Sequence, residues 1–249
     1  MATRFSGNKS HTNSGDIHVY KPPPVLKSCK VQTAGVKRTE RVPAFPFGFE
    51  PTFYPNRLPE PSTLRKPSTI FVGSMCDMWG DWVPMKWQAD IIFEAAMNPE
   101  HRYLFLTKNP SAYYGISSPQ YSASIDYEQL DFWYGASITT SNDAFMFSDT
   151  MFTLDLPHKY FSAEPLLEDI APHVEFNGVQ WLIIGARTKN GRVVPPEQGG
   201  TRPEWVEALV EKAQRSRVPV FIKDSVYKQM WPHIPYDVWL RALPYLEGK

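Results

Sequence analysis

Short, uninterrupted apolar runs recur along the chain from residue 69 onward. They are TIFVG (69–73), RYLFLT (102–107), FWYGASI (132–138), KYFSAE (159–164), QWLIIGA (180–186) and VPVFIK (218–223). The runs are continuous rather than alternating, the pattern of parallel strands buried on both faces. Between several of them the apolar spacing lengthens to that of a helix. Residues 85–97 follow Pro84 and place Trp87, Ile91 and Ala95 at i, i+4 and i+8, beside Ile92 and Ala96. Asn98-Pro99 stops that run. Residues 203–215 open on Pro203 and align Trp205, Val206, Leu209, Val210 and Ala213 on one face. A weaker helix is predicted from a Ser141 or Asn142 cap to about Phe152. The connection over 165–178 carries no convincing helical pattern. Strands alternating with helices predict an α/β fold with a parallel sheet. A doubly wound sheet and an open barrel both satisfy this periodicity, and in either one ligands bind at the carboxyl ends of the strands.

Upstream the texture is different. Residues 1–20 are polar and rich in Gly, Ser, Asn and His, which predicts poor order. Residues 21–24 (KPPP) read as an extended linker. Residues 27–41 carry Lys27, Lys30, Lys37, Arg38 and Arg41, and residues 43–61 then interleave proline with aromatics. Proline breaks helices and central strands, so this stretch is expected to be an irregular arm whose Phe45, Phe47, Phe49, Phe53 and Tyr54 pack on something larger. The expected division is a basic, proline-rich arm over 1–42 and an α/β domain over 43–249.

Charge sharpens that boundary. The chain has 26 Lys/Arg and 26 Asp/Glu, a formal net charge of zero. Residues 1–68 hold eleven of the basic and four of the acidic residues, a net of +7, so the remainder has a net of −7. A hydrophobic content of 42%, with 14% aromatic, belongs to a folded chain rather than a disordered one. No run approaches the roughly eighteen apolar residues of a membrane span. The first sixteen residues have no apolar segment of the kind a secretory signal needs, and the expected location is the cytoplasm. Two cysteines, Cys29 and Cys76, make neither a disulfide framework nor a full metal site.

Chemistry concentrates after the predicted strands. The first is followed by Gly73, Ser74, Cys76 and Asp77, the second by Lys108 and Asn109. The third contains Ser137, and the fourth ends in Ser162 and Glu164. The fifth ends in Gly185 and Arg187, and the sixth in Lys223 and Asp224. A buried charge needs a partner or a ligand. Each residue alone starts a surface loop, but convergence of Asp77, Lys108, Glu164, Arg187 and Lys223 is expected to mark a ligand site. Asp77, Lys108, Glu164 and Lys223 are the catalytic candidates. Lys108 and Lys223 permit a lysine-dependent lyase, which requires a desolvated amine or a neighbouring cation. There is no phosphate-loop or dinucleotide glycine signature. The six histidines show no metal-ligand spacing and read as structural, and Cys76 reads as a packed side chain.

The ordered set TIFVGSMCDMWGDWVP, HRYLFLTKNP, KYFSAEPLL, WLIIGA and VPVFIKDS, with FEPTFYPNRLPEP upstream, resembles a phage-associated family of unknown function. Its usual members look like compact radical S-adenosylmethionine proteins. The resemblance spans roughly residues 43–231. It implies a partial, open β/α barrel of about six parallel strands, with S-adenosylmethionine lying across the strand ends. Gly73, Ser74 and Asp77 would then lie at the methionine end. Ser137 and Glu164 would lie at the ribose or the substrate, with Arg187 among the cofactor-binding candidates. A phage-encoded member would work in the host cytoplasm.

The chain departs from that pattern. Usual members carry C-x-x-x-C-x-x-C upstream of the FEPTF-like segment, where three thiolates hold a four-iron cluster. Here that region contains Cys29 alone. One thiolate does not hold an iron–sulfur cluster, so this chain by itself is not expected to carry out radical chemistry. Three readings follow: a split or degenerate barrel whose first strand is lost or supplied by a second polypeptide, a repurposed barrel that binds an adenosyl or nucleotide-like ligand, or a truncated barrel joined to foreign sequence. A nucleic-acid-binding accessory protein, using the basic arm on phosphates, is the alternative from a different class.

Overall fold

The computed structural model describes residues 51–116, 125 and 130–230. The chain divides into two compact units, Met1–Tyr54 and Pro55–Lys249. Of the first unit only residues 51–54 are described, so the expected packing of Phe45, Phe47 and Phe49 lies outside the described residues.

The second unit is an α/β half-barrel. Its six principal strands are β1 (Thr69–Phe71), β2 (Arg102–Thr107), β3 (Phe132–Ser137), β4 (Lys159–Ala163), β5 (Trp181–Ile184) and β8 (Val220–Ile222). They form one open sheet in the order β1-β2-β3-β4-β5-β8, and every pairing is parallel. Each strand therefore lies beside its predecessor, which is the winding of a barrel rather than of a doubly wound sheet, where the order reverses. A short hairpin, β6 (Thr188–Lys189) and β7 (Arg192–Val193), is inserted after β5. All six apolar runs of the sequence are strands.

The helices are α1 (Met85–Ala96), α2 (Ser141–Thr153), α3 (Pro203–Arg215) and α4 (Asp224–Met230). Residues 164–180 contain no helix, as the sequence indicated. In α3 the expected face is buried through Val206, Leu209, Val210 and Ala213, while Trp205 is half-buried beneath the Arg202 guanidinium. In α1 the expected Ile92 and Ala95 are buried and Ile91 and Ala96 pack half-buried against the core, while Gln88 is buried beyond expectation. Gln88 tolerates burial because its amide donates to the Met78 carbonyl at 2.9 Å. The α2 cap is Thr140, one residue before the expected position. Its hydroxyl accepts from Asp143 N, and the Asp143 carboxylate accepts from Thr140 N, a reciprocal capping box.

Period-two alternation along the strands separates two faces. One carries Phe105, Phe132, Tyr134, Phe161, Leu182, Ile184, Val220 and Ile222 against the inward sides of the helices, and this is the main core. The other, concave face carries a smaller cluster, Leu104, Trp133, Tyr160 and Trp181, with Leu106, Ile183 and Phe221 around it. His101 and His158 behave as structural groups. His101 is buried, with Nδ1 accepting from Ser68 N at 3.3 Å and Nε2 donating to the Pro61 carbonyl at 3.1 Å. His158 stacks on Trp133 at 4.8 Å between ring centres. At the amino end of β4, buried Lys159 donates to the Leu154 carbonyl at the end of α2. Desolvation draws its ammonium below the ordinary lysine range, with Asp155 opposing.

Candidate functional site

Register decides which strand-end groups meet. Gly135, Tyr160 and Trp181 lie side by side on β3, β4 and β5. Two residues further along, Ser137, Ser162, Ile183 and Phe221 form the next concave layer. One more step of two brings Glu164, Gly185 and Lys223 to the carboxyl ends of β4, β5 and β8. The result is an apolar aromatic floor, then a pair of neighbouring serines, then a charged rim.

At the rim, Lys223 Nζ donates to both carboxylate oxygens of Glu164, each at 2.6 Å. The side chains are 43% and 34% exposed, so the pair is open to solvent and to a ligand. The two residues are 59 apart in sequence and sit on strands separated by β5. They meet because Gly185 stands between them. A Cβ there would lie 2.7 Å from Glu164 Cγ and 2.9 Å from its carboxyl carbon, inside any real contact distance. The absent side chain of β5 is the space through which Glu164 crosses.

The floor has a similar construction. A Cβ on Gly135 would enter the Tyr160 ring, so glycine lets that ring lie across β3. Trp181 sits 5.6 Å from Tyr160, 6.0 Å from Trp133 and 6.2 Å from Phe221 between ring centres. Tyr160 is fully buried, and its hydroxyl has no hydrogen-bond partner among the described residues. Burial pushes its ionisation far above the usual phenol range. A buried hydroxyl without a partner is costly to the fold.

Other sequence candidates are placed differently. Asp77 is built into the loop after β1. Its Oδ2 accepts from Thr107 Oγ1 at 3.0 Å and Lys108 N at 2.9 Å, and its Oδ1 accepts from Trp79 N at 3.1 Å. Asn109 extends the clamp by donating to the Trp79 carbonyl and to Asp81. Asp77 therefore fixes the end of β2 to that loop. Gly73 has φ +66 and closes a turn in which Cys76 N donates to the Gly73 carbonyl at 2.9 Å. Ser74 is exposed. Cys76 is a free thiol at the surface, and desolvation and then the Asp77 carboxylate push its ionisation up, away from a reactive thiolate. Lys108 is exposed, so the dehydrated setting of a Schiff-base lysine is missing there, and Lys223 is held by Glu164. Arg187 is exposed, and its guanidinium donates to the Gly199 carbonyl at 2.9 Å.

Of the eight residues singled out from the sequence, Ser137, Glu164 and Lys223 are brought together on the concave face. Gly73, Ser74, Asp77, Lys108 and Arg187 flank it. Sequence reasoning missed Tyr160 and the spacing role of Gly185. The signal for Tyr160 was its place two residues before Ser162 and four before Glu164, on one face of one strand.

Among the described residues no group of three or more His, Cys, Asp and Glu side chains is arranged to hold a metal ion. None of the described helices is long and apolar enough to cross a membrane. Comparison with curated proteins and with solved structures finds no match. A family model described as "Protein of unknown function (DUF5131)" matches residues 23–233, reaching back into the basic arm and forward past the last described strand. An α/β half-barrel covered over most of its length by that model belongs to the DUF5131 family.

Proposed function

We propose that the half-barrel binds a nucleoside-like small molecule, with an adenosyl compound such as S-adenosylmethionine as the leading candidate, across the carboxyl ends of β3, β4, β5 and β8. The observation that carries this reading is the meeting of Glu164 and Lys223 directly beyond Ser137, Ser162 and the orphaned Tyr160 hydroxyl. The chemistry suits such a ligand. A carboxylate accepts from ribose hydroxyls, an ammonium pairs with a ligand carboxylate, and serine hydroxyls do either. The pair also keeps the rim electrically balanced until a zwitterionic ligand separates it.

The resemblance of the strand-end motifs to phage-associated radical S-adenosylmethionine proteins supports the ligand class. It does not extend to the cluster. Three thiolates are required and the whole sequence has two cysteines, so the donor set does not fit and no redox step is assigned to this chain. The reading includes a second polypeptide that completes the barrel beside β1, whose outer edge pairs with no strand among the described residues. A phage-encoded protein of this kind would act in the host cytoplasm.

Titration calorimetry with S-adenosylmethionine and S-adenosylhomocysteine tests the reading. Binding is expected to weaken about tenfold, the equivalent of roughly 1.4 kcal/mol, in Glu164→Gln and in Lys223→Met. No heat from either compound with the wild-type chain at high protein concentration would remove the reading.

A further inference from the structure

The hairpin inserted after β5 is unusual in charge. Thr188 pairs with Val193 and Lys189 with Arg192, and Asn190 and Gly191 close the turn with φ +51 and +73. Both turn residues are left-handed, the signature of a two-residue hairpin whose twist matches its strands. Lys189 and Arg192 are thus directly opposite one another on the same face, and both are exposed. Like charges directly opposite destabilise a hairpin. Neither cation is in an ion pair among the described residues. Arg187 stands at the base of the same hairpin, and the sequence from 176 to 196 contains no Asp or Glu. The ribbon and its base carry three cations with no acidic residue of that stretch to neutralise them.

The hairpin leaves from the carboxyl end of β5, the end of the sheet that carries the rim. At that same end, the loop after β1 presents Trp82, which is 66% exposed. Its ring packs over Gly80, where a Cβ would lie 2.5 Å from it, so the loop holds the indole outward rather than letting it fold into the core. Exposed Lys108 follows β2 nearby in the sheet. A planar aromatic and a row of cations on one rim match a polymer that alternates flat bases with phosphates.

We propose that the β6–β7 hairpin is the phosphate-contacting element of a single-stranded nucleic-acid site on this rim, with Trp82 as a stacking platform for a base. Lys189 and Arg192 bracket the backbone, and the phosphate relieves their mutual repulsion. This proposal is independent of the Glu164–Lys223 ligand site and survives its failure.

Fluorescence anisotropy of the full chain with a labelled oligothymidylate of about twenty nucleotides tests it, read between about 50 and 200 mM salt. The double reversal Lys189→Glu/Arg192→Glu is expected to weaken binding at least tenfold. It should also make the slope of log affinity against log salt shallower by about 1.4, the loss of two contacts at roughly 0.7 each on a single strand. Trp82→Ala is expected to weaken binding several-fold with the salt slope unchanged. Both variants alter exposed side chains, and an unchanged thermal melt shows that they fold. The proposal is overturned if the wild-type chain does not bind at the lowest salt, or if the double reversal binds like wild type. It is also overturned if only replacing Lys27, Lys30, Lys37, Arg38 and Arg41 by Gln abolishes binding, which would assign the phosphates to the arm. A polyglutamate peptide bound as tightly, with no effect of Trp82→Ala, would reassign the hairpin to an acidic protein partner.

Discussion

The two faces of the same sheet solve different problems with the same strands. On the helix side, residues at every second position interlock with α1, α2 and α3. Phe105, Phe132, Tyr134 and Phe161 are entirely buried, as are Ile92, Met151 and Leu209 opposite them. Tyr113, also buried there, finds the Gly135 carbonyl at 2.9 Å, and Tyr103 donates to the Asn98 carbonyl at 3.2 Å. On the concave side the aromatics are as large, but glycines at 135 and 185 replace interlocking side chains, Tyr160 lacks a partner, and the last layers are Ser137, Ser162, Glu164 and Lys223. The helix side is optimised for stability. The concave side keeps polar groups at the carboxyl ends of its strands, and that contrast is why the ligand site is proposed there.

The sharpest way to break this contrast is to remove volume from the helix side. Phe161→Ala leaves a void between β4 and its covering elements and is expected to cost about 3–5 kcal/mol in denaturant unfolding, with no specific effect on ligand affinity beyond folding. Second in size is Gly135→Ala. Its new methyl collides with the buried Tyr160 ring, and a loss of roughly 1–3 kcal/mol is expected together with a distorted floor, read as a lower unfolding midpoint and weaker adenosyl binding.

Tyr160→Phe should act in the opposite direction. It deletes a buried hydroxyl that has no partner, so stability is expected to rise by about 1 kcal/mol while adenosyl affinity falls. Stability lost without any change in binding would return Tyr160 to the ordinary core. The same residue predicts an alkaline effect. Burial holds its ionisation above that of the unfolded chain, so above about pH 10 the unfolded state releases its proton first and stability falls as pH rises. Tyr103, pushed up to about 12 chiefly by burial and then by Glu100 and Glu94, adds to the fall between pH 10 and 12. Unfolding curves for Tyr160→Phe over that range should be shallower by up to one proton, roughly 1.4 kcal/mol per pH unit.

The smallest expected effect on stability belongs to the rim. Glu164→Gln breaks an ion pair whose members are each a third or more exposed, so a loss of about 0–1 kcal/mol is expected in melting, against about a tenfold loss of ligand affinity in calorimetry. If the pair proves to be worth several kcal/mol to the fold, the contrast between the two faces collapses, because the rim is then structural.

Much of the fold was legible because its signals are local. Each strand announced itself by a short apolar run, from Tyr160-Phe161 in β4 to Trp181–Ile184 in β5, and α3 by one clean apolar stripe after Pro203. The cap of α2 was misplaced by a residue because Thr140, Ser141 and Asn142 are all competent caps, and only the reciprocal bond between Thr140 and Asp143 selects the first. In α1 only Gln88 was missed from the inward face, because it reads as polar until the Met78 carbonyl appears beside it. The site was half legible. Glu164 and Lys223 were visible as charges at strand ends, and so was Asp77, yet Asp77 is consumed by Thr107, Lys108 N and Trp79 N. Nothing in the sequence distinguishes a carboxylate that three donors have satisfied from one left open at a rim.

By itself the sequence determined that this chain is an α/β protein with six parallel-type strands, a basic front and charged groups after nearly every strand. Those properties depend on neighbours a few residues apart. Tertiary structure alone decided that the strands lie in sequential order as a half-barrel, and that Glu164 reaches Lys223 across a strand that offers only glycine at that level. It also decided that Lys189 faces Arg192 with no ion-pair partner for either among the described residues. Register between strands is set by packing summed over the whole sheet, and it is register that gathers a scatter of polar residues into one candidate site.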